Sequence, residues 1–284
     1  MHHMTNESPP TIAELLRVCE SAARAGGGEL LAWRGRFETR EKAPADLVTD
    51  ADLASQAAVR AEIAARYPLH QFIGEEPEPE PQPLDGNPYA WLVDPLDGTT
   101  NYVHGYPCYA VSVAAAGRAQ DDQSAGAGSG RELLVGVVYD PLADECFAAA
   151  RGQGAWLNGT RLHTSATNSV ADALVAVSLP PRVARDAPDL ADLIRVLEVS
   201  QAVRRSGSAA LNLAYVAAGR LDAFWATQIH AWDVAAGVLL VREAGGVVSG
   251  RDGGQFDLRD PHFVSAANRE LHRDLLHVLA DRRP

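Results

Sequence analysis

A chain of 284 residues with 46% hydrophobic content has ample material for a buried core, in one large domain or two modest lobes. Its formal charge of −12 argues against nucleic acid or an anionic membrane as a partner, because either needs a basic face. Of the 25 basic residues only Lys42 is a lysine, no Gly-x-x-x-x-Gly-Lys loop is present to hold a nucleotide phosphate, and no apolar run approaches a membrane span.

Three widely spaced cysteines, Cys19, Cys108 and Cys146, suggest neither a disulfide framework nor a zinc site and point to a reducing, cytoplasmic compartment. Met1-His2-His3-Met4 lacks the apolar core of a signal peptide and reads as a mobile end. Thr11 followed by Glu14 is a capping-box pattern, and Ile12, Leu15, Leu16, Cys19, Ala22 and Ala23 follow at helical spacing. They predict a helix over 12–34, weakened at Gly26-Gly27-Gly28. Thr49 opens a second, alanine-rich helix to Tyr67, stopped by Pro68, with Asp50 and Asp52 in its first turn, where carboxylates suit the helix dipole. His70-Gln71-Phe72-Ile73 predicts a short strand ending in Gly74-Glu75-Glu76, and the proline-rich run from Pro77 to Pro83 predicts an extended loop. Glu75 and Glu76 fit that acidic run, yet they also stand at a strand end, where α/β sheets bind ligands.

Trp91-Leu92-Val93 reads as the end of a buried strand that delivers Asp94 and Asp97 on either side of Pro95 and Leu96. Gly98 permits a turn, and Thr99 or Thr100 caps a short helix whose free N–H groups suit a phosphate. Tyr109–Ala116 and Leu133–Tyr139 predict an antiparallel pair joined by a long loop, 117–132. Cys146–Ala150 and Ala155–Leu162 continue the sheet, with Asn158-Gly159 as a turn. A lobe boundary falls near Thr164 to Val170, dividing the chain into 1–165 and 166–284. Beyond it, strands at Leu174–Ser178, Val203–Ser206 and Leu221–Trp225 alternate with helices. One helix runs through Leu190–Val199, one opens at Gly207-Ser208-Ala209-Ala210 and reaches Ala218, and one runs from Trp232-Asp233 to Gly245-Gly246. Two short strands and a helix capped by Asn268 close the chain. His104 and His230 read as structural hydrogen-bonding partners, and Trp91 and Trp232 as core anchors.

Four acids therefore stand at strand ends or helix starts: Glu75, Asp94, Asp97 and Asp233. If the fold gathers them, like charges ~4 Å apart repel by about 4 kcal/mol at an effective dielectric near 20, so the cluster needs cations or protons. Carboxylates with a backbone carbonyl favour a hard ion, Mg²⁺ or Ca²⁺, over zinc.

The stretch from Val93 to Asn101 (Val-Asp-Pro-Leu-Asp-Gly-Thr-Thr-Asn) carries a resemblance, with Gly74-Glu75-Glu76 before it and Trp232-Asp233-Val-Ala-Ala-Gly and Glu243-Ala-Gly-Gly after it. Together these motifs resemble the inositol monophosphatase family over nearly the whole chain. The resemblance implies a layered αβαβα fold, shared with fructose-1,6-bisphosphatases, and a lithium-sensitive, Mg²⁺-dependent phosphomonoesterase that forms a homodimer. It implies two or three Mg²⁺ ions: Glu75, Asp94 and the Leu96 carbonyl hold the first, Asp94, Asp97 and Asp233 the second, and a weaker third lies near Glu75. Thr99, paired with Asp52 of the Asp46-Leu-Val-Thr-Asp-Ala-Asp52 element, and Glu75 orient a metal-activated water that attacks phosphorus directly. Gly98 and Thr99 offer N–H groups to the phosphate, and Asp97, Gly207, Ser208, Ala209 and Asp233 face the leaving alcohol. The family's inositol-contacting glutamate is replaced here by Ala226, and Lys42 stands one residue out of register with the family's metal-proximal lysine, where Glu41 aligns. Inositol 1-phosphate is the expected substrate. Histidinol phosphate, fructose 1,6-bisphosphate, 3′-phosphoadenosine 5′-phosphate, or a role as a metal-binding regulatory scaffold are the alternatives.

Overall fold

The structure, a computed structural model, describes residues 9–43, 46–77, 88–118 and 131–280, with the backbone alone at 42, 43, 46 and 118. The proline-rich run beyond Pro77, the middle of the 117–132 loop, His2, His3 and the Lys42 side chain lie outside the described residues.

Helix α1 (Ile12–Trp33) starts at the expected capping box, with Glu14 N donating to Thr11 Oγ1 (3.2 Å) and Thr11 N to Glu14 Oε2 (2.9 Å). Its glycines do not weaken it. A methyl on Gly26 would fall 2.8 Å from Ser55 Oγ and Val59, and one on Gly27 2.6 Å from the Tyr139 ring, so these are the points where α1 approaches its neighbours most closely. A ribbon of β1 (Thr39–Ala43) and β2 (Asp46–Thr49) leads into α2 (Asp50–Arg66), where Thr49 Oγ1 accepts from Ala51 N (3.1 Å).

The first large sheet takes its seven strands in chain order: β3 (Gln71–Gly74), β4 (Tyr89–Asp97), β5 (Ala110–Arg118), β6 (Arg131–Asp140), β7 (Glu145–Ala150), β8 (Gly154–Leu157) and β9 (Thr160–Arg161). Only β3 and β4 run parallel, and the rest are hairpin neighbours. The strand expected to stop at Val93 instead runs on through Pro95 to Asp97. A shift of register between Asp94 and Asp97 accommodates Pro95, which has no N–H to give the ladder, and Ser55 Oγ holds the Pro95 carbonyl at 2.8 Å. Helix α3 (Thr99–Val103) follows, but neither threonine caps it. Gly98 takes the cap position at φ +99°, a conformation that costs glycine little.

The second sheet has the order β11-β10-β12-β14-β13, built from β10 (Leu174–Ser178), β11 (Ala202–Arg204), β12 (Ala223–Ala226), β13 (Val247–Gly250) and β14 (Phe263–Ala266). Its first three strands are parallel, and β14 and β13 pair antiparallel. Helices α4 (Pro188–Val199), α5 (Ala209–Ala217), α6 (Ala231–Glu243) and α7 (Arg269–Ala280) complete the chain.

Side-chain alternation sorts these elements into layers. On β5, Val111, Val113 and Ala115 pack toward α1, while Ala110, Ala114 and Ala116 join the cluster that holds α5 and α6. On β12, Phe224 and Ala226 face that same middle layer, and Ala223 and Trp225 face α7. The order is helix pair, sheet, α5/α6, sheet, helix pair. Being covered on both sides, α6 is apolar nearly all round, with Val234 through Val241 buried in an unbroken run.

Candidate active site

The acids collect where the end of β4 meets the starts of the two middle helices. Glu75 follows β3 and is tied to β4 by Glu75 N donating to Val93 O (3.1 Å). The turn beside it is clamped by Gln56, whose side chain donates to Glu76 O (2.9 Å) and accepts from Glu76 N (3.0 Å). A methyl on Gly74 would collide with that amide, which is why glycine precedes Glu75. Asp94, 2% exposed, accepts from Leu96 N at 3.0 Å, so the proline turn closes on its own acid. Asp97 lies on the start of α5, accepting from Ser208 Oγ, Ala209 N (3.1 Å) and Ala210 N (2.7 Å). Asp233, in the first turn of α6, accepts from His230 N (2.9 Å).

Burial, followed by the charges of Glu75, Asp97 and Asp233, pushes the Asp94 carboxyl well above the usual range. Burial also raises Asp97, outweighing the donors of Ser208, Ala210 and Ala209, and raises Asp233, with Asp97 and Glu75 adding to the effect. Asp94 thus stands among the like charges of Glu75, Asp97 and Asp233, an arrangement that favours bound protons or cations. Among the described residues no three acidic, histidine or cysteine side chains stand as a ready-made ligand set, because Asp97 is turned onto α5 and Asp233 onto its own helix start. The donor chemistry fits Mg²⁺ nonetheless: four carboxylates and the Leu96 carbonyl offer oxygen only, and the mutual repulsion of the acids is what a divalent cation would relieve.

Asp52 and Thr99 meet beside this cluster. Asp52 is fully buried, with Oδ2 accepting from Thr49 N (2.8 Å) and Thr49 Oγ1 (2.6 Å) and Oδ1 facing Thr99 Oγ1 at 3.2 Å. Burial raises its carboxyl to about 6. The Thr99 hydroxyl also lies 3.1 Å from Leu96 O, so one proton has two acceptors and serves one at a time. Asp50, by contrast, faces outward to Glu38 N (3.0 Å) and Arg40 (2.5 Å).

On the far side, Gly207 (φ +86°) and Ser208 lead into α5. Ala226, at the end of β12, is fully buried and offers only a methyl to the middle layer. Trp91 is a core anchor as expected, with its indole donating to His70 Nδ1 (3.1 Å). Trp232 is half-buried against the core, and His230, exposed, stacks on it at 4.8 Å. His104 is exposed just past α3. Sequence reasoning assigned no role to Gln56, Ser55 or Asn101. Asn101 alone carried a signal, its place in the Asp-Gly-Thr-Thr-Asn string.

A five-layer αβαβα sandwich with buried carboxylates gathered where the first sheet meets the middle helices is a phosphomonoesterase scaffold of the inositol monophosphatase type. The chain belongs to the inositol monophosphatase family, whose model matches residues 12–283. It is 39% identical over 269 residues to an inositol-1-monophosphatase of Mesorhizobium japonicum, covering 92% of this chain and 94% of the relative. It is likewise 37% identical over 276 residues to the Nus factor SuhB of Pseudomonas aeruginosa, covering 95% and 97%. The crystal structure of the extragenic suppressor protein suhB from Bartonella henselae superimposes with a TM-score of 0.84 at 35% identity, covering 95% of this chain and 99% of that one. No helix among the described residues is long and apolar enough to cross a membrane.

Proposed function

We propose that this chain hydrolyses inositol 1-phosphate, or a closely similar polyol phosphate, to the free alcohol and phosphate in the presence of Mg²⁺. The observation that carries the reading is the gathering of Glu75, Asp94, Asp97 and Asp233 beside the Thr99–Asp52 pair. Glu75, Asp94 and the Leu96 carbonyl would hold one ion, and Asp94, Asp97 and Asp233 another. When bound, Mg²⁺ supplies positive charge that acidifies a nearby water and neutralises phosphate oxygens.

The chain's own groups do the rest. With its proton on Asp52, the Thr99 hydroxyl turns a lone pair toward the attacking water and, with Glu75, orients it for in-line attack on phosphorus. Gly98 and Thr99 offer backbone N–H groups to the phosphate. Asp97, on the Ser208-Ala209 turn, and Asp233 face the departing alcohol. Residues 1–165 would thus contribute Asp52, Glu75, Asp94, Asp97 and Thr99, and residues 166–284 Asp233 and the 207–209 turn. The proposal extends to a cytoplasmic homodimer inhibited by lithium, as the family expectation has it.

Phosphate release from inositol 1-phosphate, glycerol 2-phosphate, histidinol phosphate, fructose 1,6-bisphosphate and 3′-phosphoadenosine 5′-phosphate, with Mg²⁺ and with chelator, tests the reading. Preference for inositol 1-phosphate that chelator abolishes supports it. Preference for another ester assigns that specificity instead, consistent with the methyl of Ala226 where a carboxylate acceptor was expected. A regulatory scaffold is the second reading, favoured by relatives named Nus factor SuhB that match about as well as those named phosphatase. Absence of Mg²⁺-dependent release from every ester would establish it over the first.

A further inference from the structure

We propose that Asn101 is a positioning residue that couples the phosphate end of the site to the turn facing the leaving alcohol; its catalytic consequence rests on the phosphatase reading above. The Asn101 side-chain amide donates to Cys108 O (2.7 Å) and to Ser206 O (2.9 Å), so both of its protons are committed. The second bond joins residues 105 positions apart and ties α3 directly to the segment that enters α5.

The surrounding backbone is shaped to admit this amide. Gly98 and Gly207 both adopt positive φ, +99° and +86°, and press against one another. A methyl on Gly98 would fall 2.9 Å from Cys108 O and 3.3 Å from Gly207 O, and one on Gly207 would fall 2.8 Å from Asn101 Nδ2. Ser206 is held from its other side as well, its hydroxyl donating to Asn212 Oδ1 (2.7 Å). Two residues on, Ser208 Oγ and the N–H groups of Ala209 and Ala210 supply the three bonds that orient Asp97. Asn101 thus fixes the Ser206 carbonyl, the Ser206-Gly207-Ser208 turn fixes the start of α5, and that helix start fixes Asp97. A carboxylate at 101 would set oxygen against two carbonyl oxygens and open the turn.

The test uses full-length Asn101→Asp, with Asn101→Ser as the milder variant should the first fail to fold. Relative to wild type at saturating Mg²⁺, kcat/KM for inositol 1-phosphate is expected to fall at least about tenfold, and that for p-nitrophenyl phosphate, whose phenolate leaves unaided although Asp97 still helps hold its ion, to fall at least about threefold less. Hydrogen exchange on the metal-free protein supplies a readout independent of activity: amides of Ala209, Ala210 and Leu211 lose protection while those of α6 keep theirs. Equal losses on both esters at saturating Mg²⁺ would reduce Asn101 to a strut and overturn the coupling. Unchanged exchange at 209–211 would overturn the positioning itself. A wild type inactive on both esters would refute the phosphatase reading and the catalytic half of the proposal, leaving exchange to decide whether Asn101 holds the turn.

Discussion

Replacing Asp52 by asparagine should weaken catalysis and strengthen the fold at once. In the wild type both Asp52 oxygens accept, Oδ2 from Thr49 N and Oγ1 and Oδ1 from Thr99 Oγ1. An asparagine of the same shape keeps its oxygen on the two Thr49 donors and turns its NH₂ toward Thr99. The Thr99 hydroxyl must then accept from residue 52 and give its proton to Leu96 O, 3.1 Å away, leaving no lone pair well placed for the attacking water. Loss of that orientation is worth roughly 10²–10⁴ in kcat, with KM little changed.

Stability moves the other way. The Asp52 carboxyl is raised from 3.8 to about 6, so folding favours its protonated form. The resulting stabilisation is complete below the unfolded pKa and is lost as pH rises through about 6. Asparagine never ionises, so the variant's advantage grows between about pH 4 and pH 6 and levels off near 3 kcal/mol, or a Tm gain of roughly 5 °C or more for a chain this size. Urea denaturation at pH 5 and pH 8, beside steady-state phosphate release with Mg²⁺, measures both effects. A variant that keeps kcat within about threefold refutes the role given to Thr99 and Asp52. One that is less stable than wild type at pH 8 refutes the buried-acid argument.

Asp94→Asn is expected to abolish turnover and the Mg²⁺-induced rise in Tm while leaving the far-UV circular dichroism spectrum intact; an active variant sinks the metal assignment. In metal-free wild type, burial and mutual repulsion raise Asp94, Asp97 and Asp233, so unfolding free energy should fall as pH rises from about 5 to 8, and Mg²⁺ should restore it most at the alkaline end. Denaturation curves at both pH values with Mg²⁺ and with chelator check the sign. Gly98→Ala forces an L-residue to φ +99° with a methyl 2.9 Å from Cys108 O and should cost about 1–3 kcal/mol, read by urea denaturation. Gly237→Ala should cost a similar 1–3 kcal/mol without touching the site directly, because its methyl would collide with Leu213 where α6 meets α5.

The parts of the fold that the sequence announced are those governed by short-range rules. The Thr11–Glu14 box, the Asn158-Gly159 turn and the Asn268 cap each need only a few neighbouring residues, and each formed as expected: Leu271 N donates to Asn268 Oδ1 at 3.0 Å, and residues 158 and 159 both take positive φ. The rule failed where distant partners decide. The apolar run read as a strand ending at Val93, yet pairing with β5 across a register shift carries the strand past Pro95 to Asp97. The glycines of α1 looked like weak helix, yet Ser55, Val59 and Tyr139 explain them as contact points. A threonine cap for α3 was a sound local expectation, overridden because Thr99 has a better use for its hydroxyl against Asp52 and Leu96 O. In the site, the acids were visible because carboxylates at strand ends are unusual enough to stand out. The bonds made by the Gln56 and Asn101 amides were not, even with Asn101 inside the Asp-Gly-Thr-Thr-Asn string, since nothing nearby in sequence reveals carbonyls 20 and 105 positions away.

The meeting of β4 with the start of α6 has a consequence for how the protein comes into being. As synthesis proceeds from the N-terminus, Glu75, Asp94 and Asp97 emerge early, but Asp233 and the α5 turn that orients Asp97 follow only after the first sheet has been made. An unfinished chain therefore carries three acids with neither the fourth nor the donors that aim Asp97. Competence arises in the last stage of assembly, when the middle helices slot between the two sheets. Turnover becomes a sensitive report on completion of the fold, and a divalent ion, favouring only the finished state, would reward that final step.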